Sequence, residues 1–373
     1  MKRVRSERTS IICHSSSIIV NRHRSPASLF LLFVTVYLPT SSLYSVFRIL
    51  YSYLAIPYSL LLIFIAGCST QEKMESHSFF CMGTVFEIKL HEVDSSLVKK
   101  TEEMCVELSG RLNLFDSTSI LNEINTSEEA SLDSLTCGVI SSALRWYELS
   151  DGRFDPTVGE LTILWNFNAS PTSPPPDSIL KKTLQRVGAD KISLEDCVIK
   201  KPGDLKLDLG GIAKGFAVDL IYDTLLAYST APFLINGGGN IRVHGRDFRI
   251  AIRHPRDTEK IAASFLLKSS YACATSGDYQ RGFIYQGKRY HHILDPRTGY
   301  PVSNNIVSVT IIATNATDAD GASTSTFVMG REEALKFIEG RKELEGVIIW
   351  LDREGEMHYL MSDGITGFKE VSI

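Results

Sequence analysis

Residues 207–219 read LDLGGIAKGFAVD: an apolar stretch that ends at Asp208, two glycines, Lys214 and the start of a helical pattern. Glycines let a backbone approach a phosphate or a metal ion closely, and the N-terminus of a helix favours anions. The spacing matches neither a P-loop, GxxxxGK followed by Ser or Thr, nor the pattern GxGxxG. The segment therefore predicts a strand, a turn and a helix, and the turn fits a phosphate site and a plain tight turn equally well.

The rest of the chain mixes helices and strands without a regular βαβ alternation. Expected strands lie at 83–90, 233–236, 241–244, 248–253, 262–268, 306–313 and 347–352. Expected helices begin at about 94, cover 136–150 and 213–227, and begin again at about 319 and 331. Four prolines in residues 168–177 exclude a helix or a central strand there. These elements predict an α+β fold with two closely packed lobes in one catalytic unit.

The chain divides into two parts of opposite charge. Its 373 residues carry a net charge of −4, but residues 1–67 carry +6 and the remainder −10. The acidic remainder gives no electrostatic footprint for nucleic acid, so we expect no nucleic-acid partner. With 44% hydrophobic and 22% charged residues, the composition is that of a globular protein rather than a disordered or multi-span membrane protein.

The N-terminal part is expected to be a targeting segment. An uncharged run at 49–67 is long enough for a transmembrane helix. Pro57 interrupts it, however, and its end, Ile65-Ala66-Gly67-Cys68, resembles a bacterial lipoprotein signal, which favours a signal peptide with Cys68 as the lipidation site. Signal peptides usually have about 15–30 residues, so we expect either a start codon placed too far upstream or, as the alternative, a double-span anchor.

This interpretation divides the chain into an extension with signal peptide at 1–67, a polar tether at 69–78 and a catalytic domain at 79–370. Acyl chains on Cys68 would hold the domain at the extracytoplasmic face of the bacterial cell membrane without a membrane-spanning helix. Without Cys13 and Cys68, five cysteines remain, an odd number with no CxxC spacing. This predicts neither a zinc site nor a disulfide framework, and most of the five are expected to be small buried residues.

A candidate metal site lies in residues 316–330, ATDADGASTSTFVMG. If a helix begins near Ala319, Asp320 and Thr324 point from one face of it because they are four residues apart. A carboxylate and a hydroxyl suit a hard cation such as Mg²⁺. The alternative is N-capping, since Asp and Thr are common in first turns without a metal. Taken alone, these residues favour capping.

A second cluster lies in residues 291–301, HHILDPRTGYP. Histidine is the usual general base near neutral pH, so His291 and His292 are candidates, and Arg297 could bind a phosphate. The alternative is a solvent-exposed turn in which Asp295 bonds to its own backbone. The paired histidines favour a functional role.

Six motifs in a fixed order give the chain a family resemblance. They are MGT at 82–84, FDPTVG at 154–159, DLGGIAKG at 208–215, TSGDY at 275–279, H-x-x-DPRTG at 292–299 and AD-x-x-ST at 319–324. In this order they resemble the ApbE family of FAD:protein FMN transferases, over residues 78–370. The resemblance implies Mg²⁺-dependent transfer of FMN from FAD to a Thr or Ser hydroxyl of a flavoprotein, with AMP released and a phosphoester-linked flavin formed. Catalysis would then be mainly positioning and charge neutralisation.

The resemblance also implies roles for single residues. His292 would be the general base near the transferred phosphate. The implied flavin-binding positions are Met82, Arg153, Phe154, Asp155, Asp208, Lys214 and Leu294. The implied metal ligands are Asp320, Thr324 and the carbonyl of Gly211, with Ser323 beside them. Phe115 stands where the family often has Tyr, so it could still stack on a flavin or adenine ring but lacks the hydroxyl.

The implied partners are FAD and an acceptor flavoprotein subunit of a membrane redox complex. Two rival functions stay open: hydrolysis of FAD to FMN and AMP at the same metal site, and non-catalytic binding of FAD by a lipoprotein. A solute-binding lipoprotein is disfavoured because its two lobes would be separate α/β domains, which the sequence pattern does not show.

Overall fold

The computed structural model describes residues 74–91, 94–257 and 259–371. In chain order, its strands are β1 (Glu75–Cys81), β2 (Thr84–Leu90), β3 (Glu129–Ser131), β4 (Ser193–Glu195), β5 (Val198–Lys200), β6 (Phe233–Gly237), β7 (Asn240–His244), β8 (Phe248–Arg253), β9 (Ile261–Leu267), β10 (Ala272–Gly277), β11 (Gly282–Tyr285), β12 (Lys288–His291), β13 (Ile306–Ala313), β14 (Glu345–Leu351), β15 (Met357–Met361) and β16 (Lys369–Glu370). Its helices are α1 (Ser95–Arg111), α2 (Ile120–Thr126), α3 (Ser134–Leu149), α4 (Gly159–Trp165), α5 (Asp177–Leu184), α6 (Ala213–Leu226), α7 (Ala316–Met329) and α8 (Arg331–Glu339).

A long antiparallel sheet forms the framework. Its strand order is β1-β2-β6-β7-β10-β13-β14-β15, and every neighbouring pair is antiparallel. Two small sheets, β16-β9-β8 and β3-β5-β4, and the hairpin β11-β12 are separate from it. The mixed helices and sheets confirm the predicted α+β class. The described residues form one compact unit.

The core lies on both faces of the long sheet because successive strand residues point in opposite directions. In β13 all eight residues are buried. Ile311 belongs to the hydrophobic cluster shared with the helices, and its neighbour Ile312 belongs to the cluster shared with β8 and β9. Full burial of one such isoleucine contributes about 1.5–3 kcal/mol. The helices are thereby fixed on one face of the sheet, and this is the face on which the candidate site is built.

Several predicted elements are confirmed with small shifts. The helix predicted from about 94 is α1, and the carboxylate of Asp94 caps it by accepting the N–H of Ser96 at 2.9 Å. The helix predicted from about Ala319 is α7, which begins three residues earlier, at Ala316. The proline-rich segment is irregular between a 3-10 turn at Phe167–Ala169 and the start of α5.

The expectations for the N-terminal part of the chain are partly wrong and partly outside the described residues. The predicted polar tether at 69–78 is wrong from Glu75 onward, because this part of it pairs along β2 as an edge strand. Residues 1–67, Cys68 and the first part of the tether lie outside the described residues. In the described part of the chain, no helix is long and apolar enough to cross a membrane.

The cysteines are only partly as expected. Cys137 and Cys197 form a disulfide that joins α3 to the turn before β5, although the odd count had argued against disulfides. The pairing could not be seen in the sequence because 60 residues separate the two cysteines. Cys81, Cys105 and Cys273 are buried free thiols, as expected.

Candidate active site

The N-terminal ends of α6 and α7 meet at Gly215. A side chain at this position would overlap the carbonyl oxygen of Ala316 and lie 2.8 Å from the Cβ of Asp320, so only glycine allows the approach. At this contact the N–H of Gly215 donates to the Asp320 carboxylate at 2.9 Å. The close approach places the LDLGGIAKG turn directly beside the first turns of α7.

Three oxygen atoms of different types, each a candidate metal ligand, lie at this junction. Asp320 is 4% exposed, and Thr324 lies one turn further along α7. The Thr324 hydroxyl donates to the Gly211 carbonyl at 3.4 Å, which joins α7 to the glycine turn. A carboxylate, a hydroxyl and a carbonyl are oxygen ligands of the kind that Mg²⁺ takes. The described residues contain no cluster of three or more His, Cys, Asp or Glu suited to a metal ion. A cation at this junction would therefore be held by one carboxylate, that of Asp320, together with the neutral oxygens of Thr324 and Gly211.

The electrostatics of Asp320 also fit a cation. Burial raises the pKa of this carboxyl, and the Lys214 ammonium, 3.6 Å from its Oδ2, opposes that shift together with the Gly215 N–H and the Asn240 amide. A carboxylate held in so little water gains strongly from a further positive charge. Asn240, at the start of β7, is 2% exposed, and its Oδ1 has no hydrogen-bond partner in the described part of the protein. The sequence reasoning had not identified Asn240.

The N-capping alternative for Asp320 is wrong. The N-cap of α7 is Asn315, whose side chain accepts the N–H of Asp318 at 2.7 Å. Asp320 therefore lies inside the helix and turns toward α6.

A second carboxylate, Asp219, completes the start of α7. It accepts the N–H groups of Ala316 and Thr317, both at 2.8 Å, and the Thr317 hydroxyl at 2.5 Å. Arg242 of β7 donates to the same carboxylate at 2.8 Å. The sequence pattern missed this residue as well, because the backbone groups that it accepts, those of Ala316 and Thr317, lie 97 and 98 residues further along the chain.

Lys214 and Asp208 shape the glycine turn. Lys214 donates to the carbonyl of Gly210 at 3.1 Å, which holds its ammonium beside Asp320. Asp208 accepts the N–H of Gly210 at 2.8 Å and the hydroxyl of Thr162 from α4 at 2.7 Å. These hydrogen bonds hold the turn in place and position the Lys214 ammonium next to the candidate oxygen ligands.

Ser323 stands behind the ligand group rather than within it. Its hydroxyl lies 2.9 Å from the Ser276 hydroxyl of β10 and 3.0 Å from the carbonyl of Asp320. These contacts fix the register of α7 against the sheet. Ser323 thus supports the position of Asp320 through the helix backbone.

The two histidines have different environments. His291 turns into the core, where its Nε2 lies 3.0 Å from the Val302 carbonyl. His292 follows β12 and is half-buried, and its Nδ1 has no hydrogen-bond partner among the described residues. Burial, with added effects of His291, Arg281 and Lys214, lowers the pKa of His292 to about 3. At neutral pH its imidazole is therefore uncharged and able to accept a proton.

The remaining charged residues of this segment, Asp295 and Arg297, lie in a turn and bond to each other, as the turn alternative predicted. Asp295 accepts from the Arg297 guanidinium at 2.9 and 2.8 Å and from the Arg297 N–H at 3.0 Å. The prediction that Arg297 could bind a phosphate is not supported by this pairing. The function suggested by the histidine pair rests on His292 alone.

Comparison with known proteins now gives the family. Residues 82–348 match the model of the ApbE family. The chain belongs to the ApbE family. The FAD:protein FMN transferase of Vibrio cholerae is 32% identical over 297 residues, which cover 75% of this chain and 89% of that protein. The enzyme of the same name from Haemophilus influenzae is 31% identical over 301 residues, covering 74% and 86%.

Solved structures agree with the sequence relatives. The ApbE protein of Thermotoga maritima superposes with a TM-score of 0.71 at 32% identity, covering 77% of this chain and 96% of that one. The flavin transferase ApbE of Vibrio cholerae gives 0.70 at 30% identity, covering 78% and 97%. The predicted ApbE membership and a flavin-transferring enzyme are thereby confirmed.

The ApbE motif FDPTVG contributes one residue directly to the junction. Phe154 is buried, and a side chain at Gly211 would lie 3.0 Å from its ring, so the ring packs against the proposed carbonyl ligand. Arg153 instead pairs with Glu333 of α8 at 2.8 Å. Asp155 is buried and accepts the N–H and hydroxyl of Thr157 at 2.8 and 2.6 Å. Both polar side chains therefore have partners within the protein, although Nε of Arg153 is buried without a hydrogen-bond partner in the described part of the chain.

The other predicted flavin contacts lie on three separate segments. Met82 occupies the β1–β2 turn with a positive φ of 50°. Leu294 is buried against Leu161 and Trp165 of α4. Phe115 is 49% exposed and so has a ring face available for stacking.

Proposed function

We propose that this chain transfers FMN from FAD to a Thr or Ser hydroxyl of an acceptor flavoprotein in a Mg²⁺-dependent reaction that releases AMP. The observation that carries the proposal is the convergence of the Asp320 carboxylate, the Thr324 hydroxyl and the Gly211 carbonyl beside Lys214. Family membership supplies the flavin chemistry, and this junction supplies a place for a dinucleotide diphosphate and its cation.

The residues fit the ion in type and charge. Asp320, Thr324 and the Gly211 carbonyl would hold Mg²⁺, with Ser323 supporting Asp320 from behind. When bound, the ion neutralises charge on the diphosphate and polarises its phosphorus–oxygen bonds. Lys214 adds a point charge for a phosphate oxygen, and the N-terminus of α6 faces the same junction.

His292 is the proposed general base. Its uncharged imidazole accepts the proton of the acceptor hydroxyl, and the freed oxygen forms a bond to the phosphorus of the FMN half. The bond between that phosphorus and the bridging oxygen breaks, and AMP leaves with the electron pair. When substrate is present, an anionic diphosphate next to the His292 imidazole raises the pKa of that imidazole and so makes it a stronger base.

The test distinguishes transfer from hydrolysis. The full-length protein is incubated with FAD, Mg²⁺ and a candidate acceptor subunit, and covalent flavin fluorescence on the acceptor is compared with free FMN. The proposal expects fluorescent acceptor and AMP in equal amounts. Free FMN with an unlabelled acceptor would instead support the rival FAD pyrophosphatase, and no turnover would support a non-catalytic FAD-binding protein.

We further propose that acyl chains on Cys68 anchor the enzyme at the extracytoplasmic face of a bacterial membrane, where it meets an acceptor subunit of a membrane redox complex. The Cys137–Cys197 disulfide supports this location, since disulfides persist in oxidising compartments. Metabolic labelling with palmitate should label the wild type and leave Cys68→Ser unlabelled. Equal labelling of both proteins would contradict the anchor.

A further inference from the structure

Arg281 joins three segments next to His292. Its Nη1 donates to Oδ1 of Asn168 at 3.0 Å, which lies in the 3-10 turn Phe167–Ala169. A side chain at Gly83, in the β1–β2 turn, would lie 2.8 Å from its Nη2. Its carbonyl accepts the N–H of His292 at 3.2 Å. The guanidinium therefore lies between the Met82–Gly83 turn and the 3-10 turn, and its backbone holds the proposed base.

Two features of this arrangement favour glycine at position 83. Its φ of +72° favours glycine, and any side chain would enter the space of the guanidinium. The MGT motif and the segment after TSGDY, which are about 200 residues apart, thus meet at Arg281. Nothing in the sequence pattern had connected them.

The charge of Arg281 is not neutralised within the described part of the protein, where no carboxylate forms an ion pair with it. Three other cations of this region are paired: Lys214 with Asp320, Arg256 with Asp278 and Arg297 with Asp295. The partner of Arg281 is a neutral amide, which orients the guanidinium without cancelling its charge. The residue is exposed, and its charge contributes to the low pKa of His292.

We propose that Arg281 binds the diphosphate of FAD through its free guanidinium N–H groups, and that Asn168 orients it for this contact. The inference rests on the proposed function, because it assigns a residue to the same substrate. Arginine suits the role since its planar fork matches two phosphate oxygens and always carries its charge. Asparagine suits position 168 because aspartate there would form an ion pair and compete with the phosphate.

The test compares two flavins that differ in the diphosphate. Dissociation constants of the full-length protein for FAD and for riboflavin are measured from flavin fluorescence in EDTA, where turnover stops and no metal compensates for a lost charge. Arg281→Gln should weaken FAD binding roughly 10- to 100-fold, the usual range for a hydrogen bond to a charged group, and change riboflavin binding less than about 2-fold. The dissociation constant of Arg281→Lys for FAD should lie between those of the wild type and Arg281→Gln.

Two further variants separate orientation from charge. Asn168→Ala should weaken FAD binding by a smaller factor than Arg281→Gln, and Asn168→Asp by a larger factor than Asn168→Ala. Arg289→Gln, which removes an exposed cation from β12, is the matched control and should leave both affinities unchanged. Equal losses for FAD and riboflavin, or no loss in Arg281→Gln, would overturn the assignment.

The outcome is independent of the acceptor reaction. If the wild type binds FAD but never labels an acceptor, the proposed transferase function fails while the FAD-to-riboflavin ratio still decides the role of Arg281. If transfer occurs and the ratio is unchanged in Arg281→Gln, the function stands and this inference is wrong.

Discussion

The main-chain N–H of Gly215 donates to the carboxylate of Asp320 over 2.9 Å and fixes the distance between α6 and α7. This bond needs a residue without a side chain on α6 and a buried acceptor on α7. Because Lys214 directly precedes Gly215 and Gly211 lies four residues before it, the same bond sets their position relative to Asp320 and Thr324. The proposed metal site is therefore a property of one helix contact.

The first prediction concerns this contact. Gly215→Ala should destabilise the protein by about 1–3 kcal/mol, the usual result of overpacking a buried contact, and lower activity by separating the helices. Gly110→Ala in α1 is the control, because a side chain there meets no atom within 4 Å and alanine favours a helix by up to about 1 kcal/mol. Urea unfolding measures both; equal stability of the two variants would contradict the helix contact.

The second prediction concerns Asp219 as a positioning residue. Asp219→Ala leaves the N–H groups of Ala316 and Thr317 without their side-chain acceptor and Arg242 without its closest carboxylate, so we expect a loss of about 3–5 kcal/mol in the free energy of unfolding. The Mg²⁺ concentration for half-maximal activity should rise roughly 10-fold or more, as is usual when support behind a ligand is removed.

Asp223→Ala provides the control for Asp219. It lies on the same helix with a 74% exposed side chain and only a distant contact to Arg242, at 3.9 Å. It should change neither stability nor Mg²⁺ dependence appreciably. If Asp219→Ala lowered stability but left the Mg²⁺ requirement unchanged, Asp219 would be structural only.

The third prediction concerns pH. The pKa of His292 is lowered to about 3 by burial and by the neighbouring His291, Arg281 and Lys214, whereas an unfolded histidine has a pKa of about 6.5. The unfolded state thus binds the extra proton first, so this residue costs stability as the pH falls from about 6.5 toward 3. His292→Gln should show a smaller loss of melting temperature over this interval than the wild type.

The same shift affects activity. A base must be unprotonated, so protonation of His292 should reduce kcat/KM only well below pH 6.5. Arg281→Gln removes a neighbouring positive charge and should move this acidic limb to higher pH. An acidic limb near 6.5 in the wild type, unmoved in the variant, would contradict the assignment of His292 as the base.

The sequence made local features of the site predictable. Asp320 and Thr324 share a helix face because they are four residues apart, and Asp295 forms a turn with Arg297 because both lie within one short Pro-Gly segment. Such relations depend on backbone periodicity and on hydrogen bonds between near neighbours. The family motifs then indicated which of these local features belong to one site.

The relations that the sequence could not reveal span long separations. The start of α7 was placed three residues late because Asp219, 97 residues earlier, helps to cap it. The Cys137–Cys197 disulfide and the Arg281–Asn168 bond, which spans 113 residues, likewise depend on how the sheet brings distant segments together. No local pattern records these partners.

The most direct test of the central claim is Mg²⁺-dependent flavin transfer by Asp320→Asn, with Asp223→Asn as the exposed carboxylate control. The substitution keeps the size of the side chain and removes the charge that would bind the ion. We expect transfer to the acceptor and AMP release to fall roughly 100-fold or more, since a bound metal contributes several kcal/mol to such reactions, while the melting temperature stays within a few degrees and Asp223→Asn behaves as the wild type. Transfer by Asp320→Asn at the wild-type rate and with the wild-type Mg²⁺ dependence would contradict the account.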